Sequence, residues 1–113
     1  LLTRLVGPAK AKALYVMSPR GDATECLALG IFDEVVSDDA LQERARDMAR
    51  TIAAGPPIAI ALMKARINAA ADSDLRTCLQ GEAHATVRCM ETADHAEAVT
   101  AFMEKRAPQF TGR

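Results

Sequence analysis

Tryptophan is absent from this 113-residue chain, tyrosine occurs once and phenylalanine three times. So little aromatic material, set beside abundant alanine, favours closely packed helices over sheets. Long apolar runs are missing too. None approaches the roughly 20 residues that a membrane-crossing helix needs, and nothing has the charged, apolar and small-residue order of a secretory signal. Neither sign of charge dominates, with 14 Lys and Arg against 15 Asp and Glu. That balance argues against a nucleic-acid stripe and against a polybasic membrane anchor. The expectation is a soluble, cytoplasmic protein with neither nucleic acid nor membrane as a partner.

Chemistry-bearing residues are equally sparse. The three cysteines include no CxxC pair, and Cys78 and Cys89 on one helix would stand roughly 16 Å apart, too far for a disulfide or a shared metal. Reduced, buried thiols are expected. His84 and His95 are the only histidines, and neither lies in an HExxH pattern. A Cys89–His84 pair fails on direction, being five residues apart on one helix. No glycine cluster cradles a phosphate. No catalytic or metal-ligating set is therefore expected among these residues.

Half of the chain is apolar, which supports a packed core. It opens "LLTRLVGPAK", apolar and without an initiator methionine. We read that opening as the interior of a longer polypeptide. Gly7-Pro8 predicts a helix beginning at the proline and running through "AKAKALYVM". Asp22 and Glu25 have the spacing of a capping box for "DATECLAL", which Gly30 ends. The β-branched residues of "IFDEVV" predict a brief extended segment. Ser37-Asp38-Asp39 then favour the start of a third helix, "ALQERARDMARTIAA", with Leu41, Ala45, Met48, Ala49 and Ile52 on one stripe.

Gly55 stops that helix and Pro56-Pro57 open a fourth, apolar on two sides: Ile58, Ala61, Leu62 and Ala65 on one, Ile60, Met63 and Ile67 on the other. A helix apolar on two sides must be covered on two sides, and a chain this short supplies the second layer with difficulty. Asp72-Ser73-Asp74 cap a fifth helix with a stripe of Leu75, Cys78, Leu79, Ala83, Cys89 and Met90. Glu82 lies within that stripe, so it must be paired or face an interface. Asp94 and Glu97 have capping-box spacing for a last helix that carries Val99, Phe102 and Met103 inward. Lys105 and Arg106 fall in its final turn, where the helix dipole favours cations.

"RLVGPAKAKALYVMSPRGDATECLALGIFDEVVSDDAL" resembles the second half of the enoyl-CoA hydratase/isomerase (crotonase) family. The similarity runs from Arg4–Gly7 through Ala23–Cys26 and Gly30 to Ile31–Val36. It continues in "AAGPPIAIALMKARIN" and in the ending "AFMEKRAPQFTGR". Two departures stand out: "SPRG" where the family commonly has a "TG" pair, and Cys26 in place of an alanine.

The resemblance implies a mainly α chain: the C-terminal helical, trimerisation region of a ClpP/crotonase-like fold, with at most one short extended segment. Residues 1–37 would close the family core, and residues 38–113 would form an oligomerisation and lid region. It further implies an acyl-CoA substrate, hydration of 2-trans-enoyl-CoA before double-bond isomerisation, no cofactor, and a homo-oligomer, trimer or hexamer. The family's oxyanion hole and catalytic glutamates lie upstream of the matching region, so no catalytic residue is assigned here. Lys105 matches a lysine that approaches the CoA phosphates or adenine, and Arg106 is carried with it as a CoA-binding candidate. Thr86 stands where some hydratases place an aromatic near the adenine. The rival reading is a non-catalytic helical self-association module.

Overall fold

The computed structural model describes residues 1–113, which form six helices and no strand. They divide into two compact units, Leu1–Ala45 and Arg46–Arg113.

The first unit holds α1 (Leu2–Met17), α2 (Ala23–Ala28) and the start of α3 (Leu41–Ala53). In α1, Gly7 is non-helical at φ 77°, so Pro8 does open a new helical segment. The added feature is the turn before it, Leu2–Val6. The capping box of α2 forms as expected: Glu25 N–H donates to Asp22 and Asp22 N–H to Glu25. Gly30, at φ 69°, then ends the helix in a Schellman motif. Its N–H donates to the Leu27 carbonyl and Ile31 N–H donates to that of Cys26.

The extended segment expected at Ile31–Val36 makes no strand. Ile31 and Phe32 N–H both turn back to the Cys26 carbonyl, and no neighbouring strand exists to pair with the rest. The segment is fastened instead by Glu34, whose carboxylate accepts from Arg44 Nε at 2.8 Å. That hydrogen bond holds the Glu34 carboxyl below its ordinary range.

The second unit stacks α4 (Pro57–Ala70) on α5 (Leu75–Met90), and α5 on α6 (Ala93–Glu104). Pro56 and Pro57 start α4, and Asp74 caps α5 by accepting from Thr77 N–H at 3.0 Å. The contact face of α5 shares only Cys78 and Cys89 with the predicted stripe. Cys78, Gly81, Ala85 and Cys89 are half-buried, whereas Leu75, Leu79 and Met90 are exposed, Leu75 by 74%. Small residues therefore form the seam. A β-carbon on Gly81 would lie 2.5 Å from Arg66 Nη1, so the Arg66 side chain crosses α5 where only glycine leaves room.

The two-sided apolar character of α4 persists in three dimensions, with Met63 and Ile67 left exposed. The predicted inward face of α6 also fails: Phe102 is 82% exposed, Met103 75% and Val99 51%. The buried positions of α6 are Asp94 and Ala101. Sequence periodicity assumed that the large apolar side chains would meet a core within these residues; the small ones do, and the large ones face outward.

Buried apolar residues number only two, Ala11 and Ala101. The accessible surface is 9203 Å². Two separate compact bodies, with the 45 and 68 residues of these units, would expose about 7,000 Å² together. Twenty large apolar side chains are among the exposed residues.

Candidate functional site

The densest polar construction lies where the chain's last residues fold back on α6. Its foundation is the α5–α6 junction. Thr92 Oγ1 donates to the Cys89 carbonyl at 2.6 Å and accepts from His95 N–H at 3.1 Å, so this hydroxyl serves both helix ends. A carboxylate could only accept. Thr92, not Asp94, is thus the N-cap, and the predicted Asp94–Glu97 capping box is absent.

Both carboxylates are released for another task, holding the tail. Asp94, 2% exposed, accepts from Thr111 N–H at 2.7 Å and Gly112 N–H at 2.9 Å, while its own N–H donates to the Arg113 carbonyl at 3.2 Å. Glu97 accepts two bonds from the Arg106 guanidinium, at 2.5 and 2.9 Å, and one from Gln109 N–H at 2.8 Å. Asp94, Glu97, Arg106, Gln109 and Thr111 line a hollow of about 430 Å³.

The Arg106 guanidinium beside Glu97, helped by the Gln109 N–H, holds the Glu97 carboxyl down to about 2. Arg106 is pushed above its usual value by Glu97 and Glu104. A depressed carboxylate contributes stability that is present above its ordinary value near 4.5 and lost as pH falls from there through about 2. The Glu97 carboxyl ¹³C resonance should therefore keep its ionised shift at pH 3.5, where an unpaired glutamate is mostly protonated. An ordinary midpoint near 4.5 would rule out the clamp.

Lys105 sits between helix and tail. The helix ends at Glu104, so neither Lys105 nor Arg106 is in its last turn as expected. Lys105 takes the left-handed conformation, φ 54° and ψ 39°. Its N–H donates to the Phe102 carbonyl and Arg106 N–H donates to that of Ala101, a second Schellman motif. Glycine fills this place at Gly30, and a non-glycine residue held there costs about 1 kcal/mol. The Lys105 side chain is exposed and makes no ion pair or hydrogen bond, in contrast to Arg106.

A separate groove of about 510 Å³ runs along α4, α5 and the start of α6, with Leu62, Met63, Ile67, Ala85, Thr86 and Met90 in its lining. Arg66 and Glu82 are its charged members; Glu82 is exposed and unpaired. His84 is exposed while the three thiols are free and half-buried, and no group of three or more His, Cys, Asp or Glu side chains could hold a metal. No helix is long and apolar enough to cross a membrane.

An all-helical chain with an unfinished core and a clamped C-terminal segment describes one portion of a larger fold class. The chain belongs to the enoyl-CoA hydratase/isomerase family, whose model matches residues 1–113. It is 37% identical over 105 residues to the short-chain-enoyl-CoA hydratase of Clostridium acetobutylicum, covering 93% of this chain and 40% of that protein. It is 35% identical to the 1,2-epoxyphenylacetyl-CoA isomerase of Escherichia coli K12, covering 100% of this chain and 43% of that protein. Among solved structures, an enoyl-CoA hydratase from Bacillus anthracis superposes with a TM-score of 0.94 at 38% identity, over 99% of this chain and 43% of that one. The chain thus spans about two fifths of the length of the relatives it matches.

Proposed function

We propose that these residues are the C-terminal assembly and lid region of an enzyme that hydrates 2-trans-enoyl-CoA thioesters. The observation that carries this reading is the combination of a family match across the whole chain with a surface too apolar for these residues alone. The parent enzyme would stabilise a thioester enolate with backbone N–H groups and move protons with carboxylates, all supplied from outside this chain and without a cofactor. Residues 1–37 would complete that core, and residues 38–113 would cover the site and pack subunits into a trimer or hexamer. Cytoplasmic placement accords with this reading. Double-bond isomerisation is the second reading, favoured by the likeness to the Escherichia coli isomerase.

Lys105 is the proposed contact to the CoA phosphates, because its exposed ammonium has no partner within the chain. Arg106 adds positive potential beside it, although two carboxylates already share its guanidinium. Lys105→Ala in the parent enzyme should raise KM for crotonyl-CoA about fivefold, the ~1 kcal/mol of an exposed ion pair, with little change in kcat. The measurement is the loss of thioester absorbance on hydration. An unchanged KM removes Lys105 from the binding surface, and double-bond migration without hydration would favour the isomerase.

A further inference from the structure

Two helices of this chain end in the same Schellman motif, and the residues at matching places differ in chemistry. In α2 the left-handed position is Gly30 and the next residue is the apolar Ile31. In α6 the left-handed position is Lys105 and the next is Arg106. Glycine is the low-strain choice at such a position, and α6 forgoes it. Ile31 and its like ordinarily pack on the preceding turn; Arg106 instead returns to Glu97 through two hydrogen bonds and to Glu104 through a third at 2.7 Å.

From these observations we infer that the Glu97–Arg106 clamp is a positioning device for Lys105, fixing the backbone from which its ammonium reaches a nucleotide phosphate. Arg106 acts here by holding place, not by contact with ligand. The geometry leaves Lys105 little alternative. Its own N–H and that of Arg106 are bound to α6 carbonyls. One residue later the chain is gripped through the Arg106 side chain, and Gln109 N–H is bound to the same Glu97 carboxylate. Glu97 thus ties down the segment on the far side of a strained residue while the Lys105 side chain itself stays unengaged. The ionised state of Glu97 persists to low pH, so the clamp stays closed at neutral pH. The chain's other left-handed non-glycine cap, Ser18 at φ 44°, returns its hydroxyl to the Tyr15 carbonyl, whereas the Lys105 side chain engages nothing in the chain and is left to reach outward.

The inference rests on Lys105 contacting CoA, and the experiment separates the two ideas. In the parent enzyme, Glu97→Gln should raise KM for crotonyl-CoA three- to fivefold and leave kcat within twofold. KM for crotonyl-pantetheine, which lacks the nucleotide and its phosphates, should not move. In a Lys105→Ala background, Glu97→Gln should add no further effect, because the residue it positions is gone. Glu97→Asp, which keeps the charge but shortens the reach to Arg106 and Gln109 N–H, should raise KM less than Glu97→Gln, and it serves in its place should Glu97→Gln fail to fold. If Lys105→Ala leaves KM unchanged, the contact itself is wrong. If Lys105→Ala raises KM while the clamp variants do nothing, or add their effects to it, or raise KM for crotonyl-pantetheine equally, Glu97 and Arg106 are ordinary stability residues and the positioning role is overturned.

Discussion

Expressed alone, the 113 residues should self-associate and leave crotonyl-CoA unhydrated. Phe102, Met103, Leu75 and Ile67 are each more than 70% exposed, and the only buried apolar side chains are two alanines. The excess over the surface of two compact bodies is about 2,000 Å². Burying even part of that area, at about 25 cal/mol per Å² of apolar surface, is a substantial driving force for association. Such a chain lowers its free energy by pairing oily faces with copies of itself. Sedimentation velocity should show species well above 12.1 kDa, together with strong binding of an apolar dye. Turnover should be absent at any concentration, because no acid–base pair or oxyanion hole is assigned to these residues. A monodisperse, dye-silent monomer, or measurable hydration, contradicts the proposed role.

Removing the Asp94 carboxylate should produce the largest local loss. Its two short bonds to the Thr111 and Gly112 N–H groups lie in a site that is 2% exposed. Asp94→Ala strands both donors and deletes a charged acceptor, at a cost of about 3 kcal/mol. Hydrogen exchange at Thr111 and Gly112 in the parent protein should accelerate about 100-fold, while amides within α5 stay protected. Asp94→Asn keeps one acceptor oxygen but turns an NH2 toward the other N–H donor, so exchange should accelerate at one of the two amides and less at its neighbour. Equal exchange in Asp94→Ala and the unmodified protein means that the tail is anchored elsewhere.

Local signals in the sequence proved dependable where the physics is local. The Asp22–Glu25 box, the stop at Gly30, Pro8 and Pro57 at helix starts and Asp74 at a cap all depend on residues within a few positions of one another. The family resemblance placed these helices at the C-terminal end of the fold, in agreement with the structural neighbours. What failed was inference about facing. The inward facing expected of Val99, Phe102 and Met103 on α6 does not hold, because periodicity reports amphipathicity without saying which body covers it. The tail clamp joins residues up to 18 positions apart and so leaves no local signature. Capping-box spacing at Asp94–Glu97 is real, but Thr92 two residues earlier can both donate and accept, and spacing alone does not reveal a competitor for the cap. The useful signal was the number of donors beyond Lys105, namely Arg106 and the N–H groups of 109, 111 and 112, which two nearby carboxylates could satisfy.

The groove along α4 and α5 is greasy, yet Arg66 and Glu82 interrupt its floor. Arg66 lies across α5 by virtue of the gap left at Gly81. A uniformly oily visitor settling there would strip water from a guanidinium and a carboxylate and return nothing to either. A surface carrying an acid and a base at matching heights would escape that penalty. The missing methyl group at Gly81 thus leaves a charge where the trough would otherwise be unbroken oil.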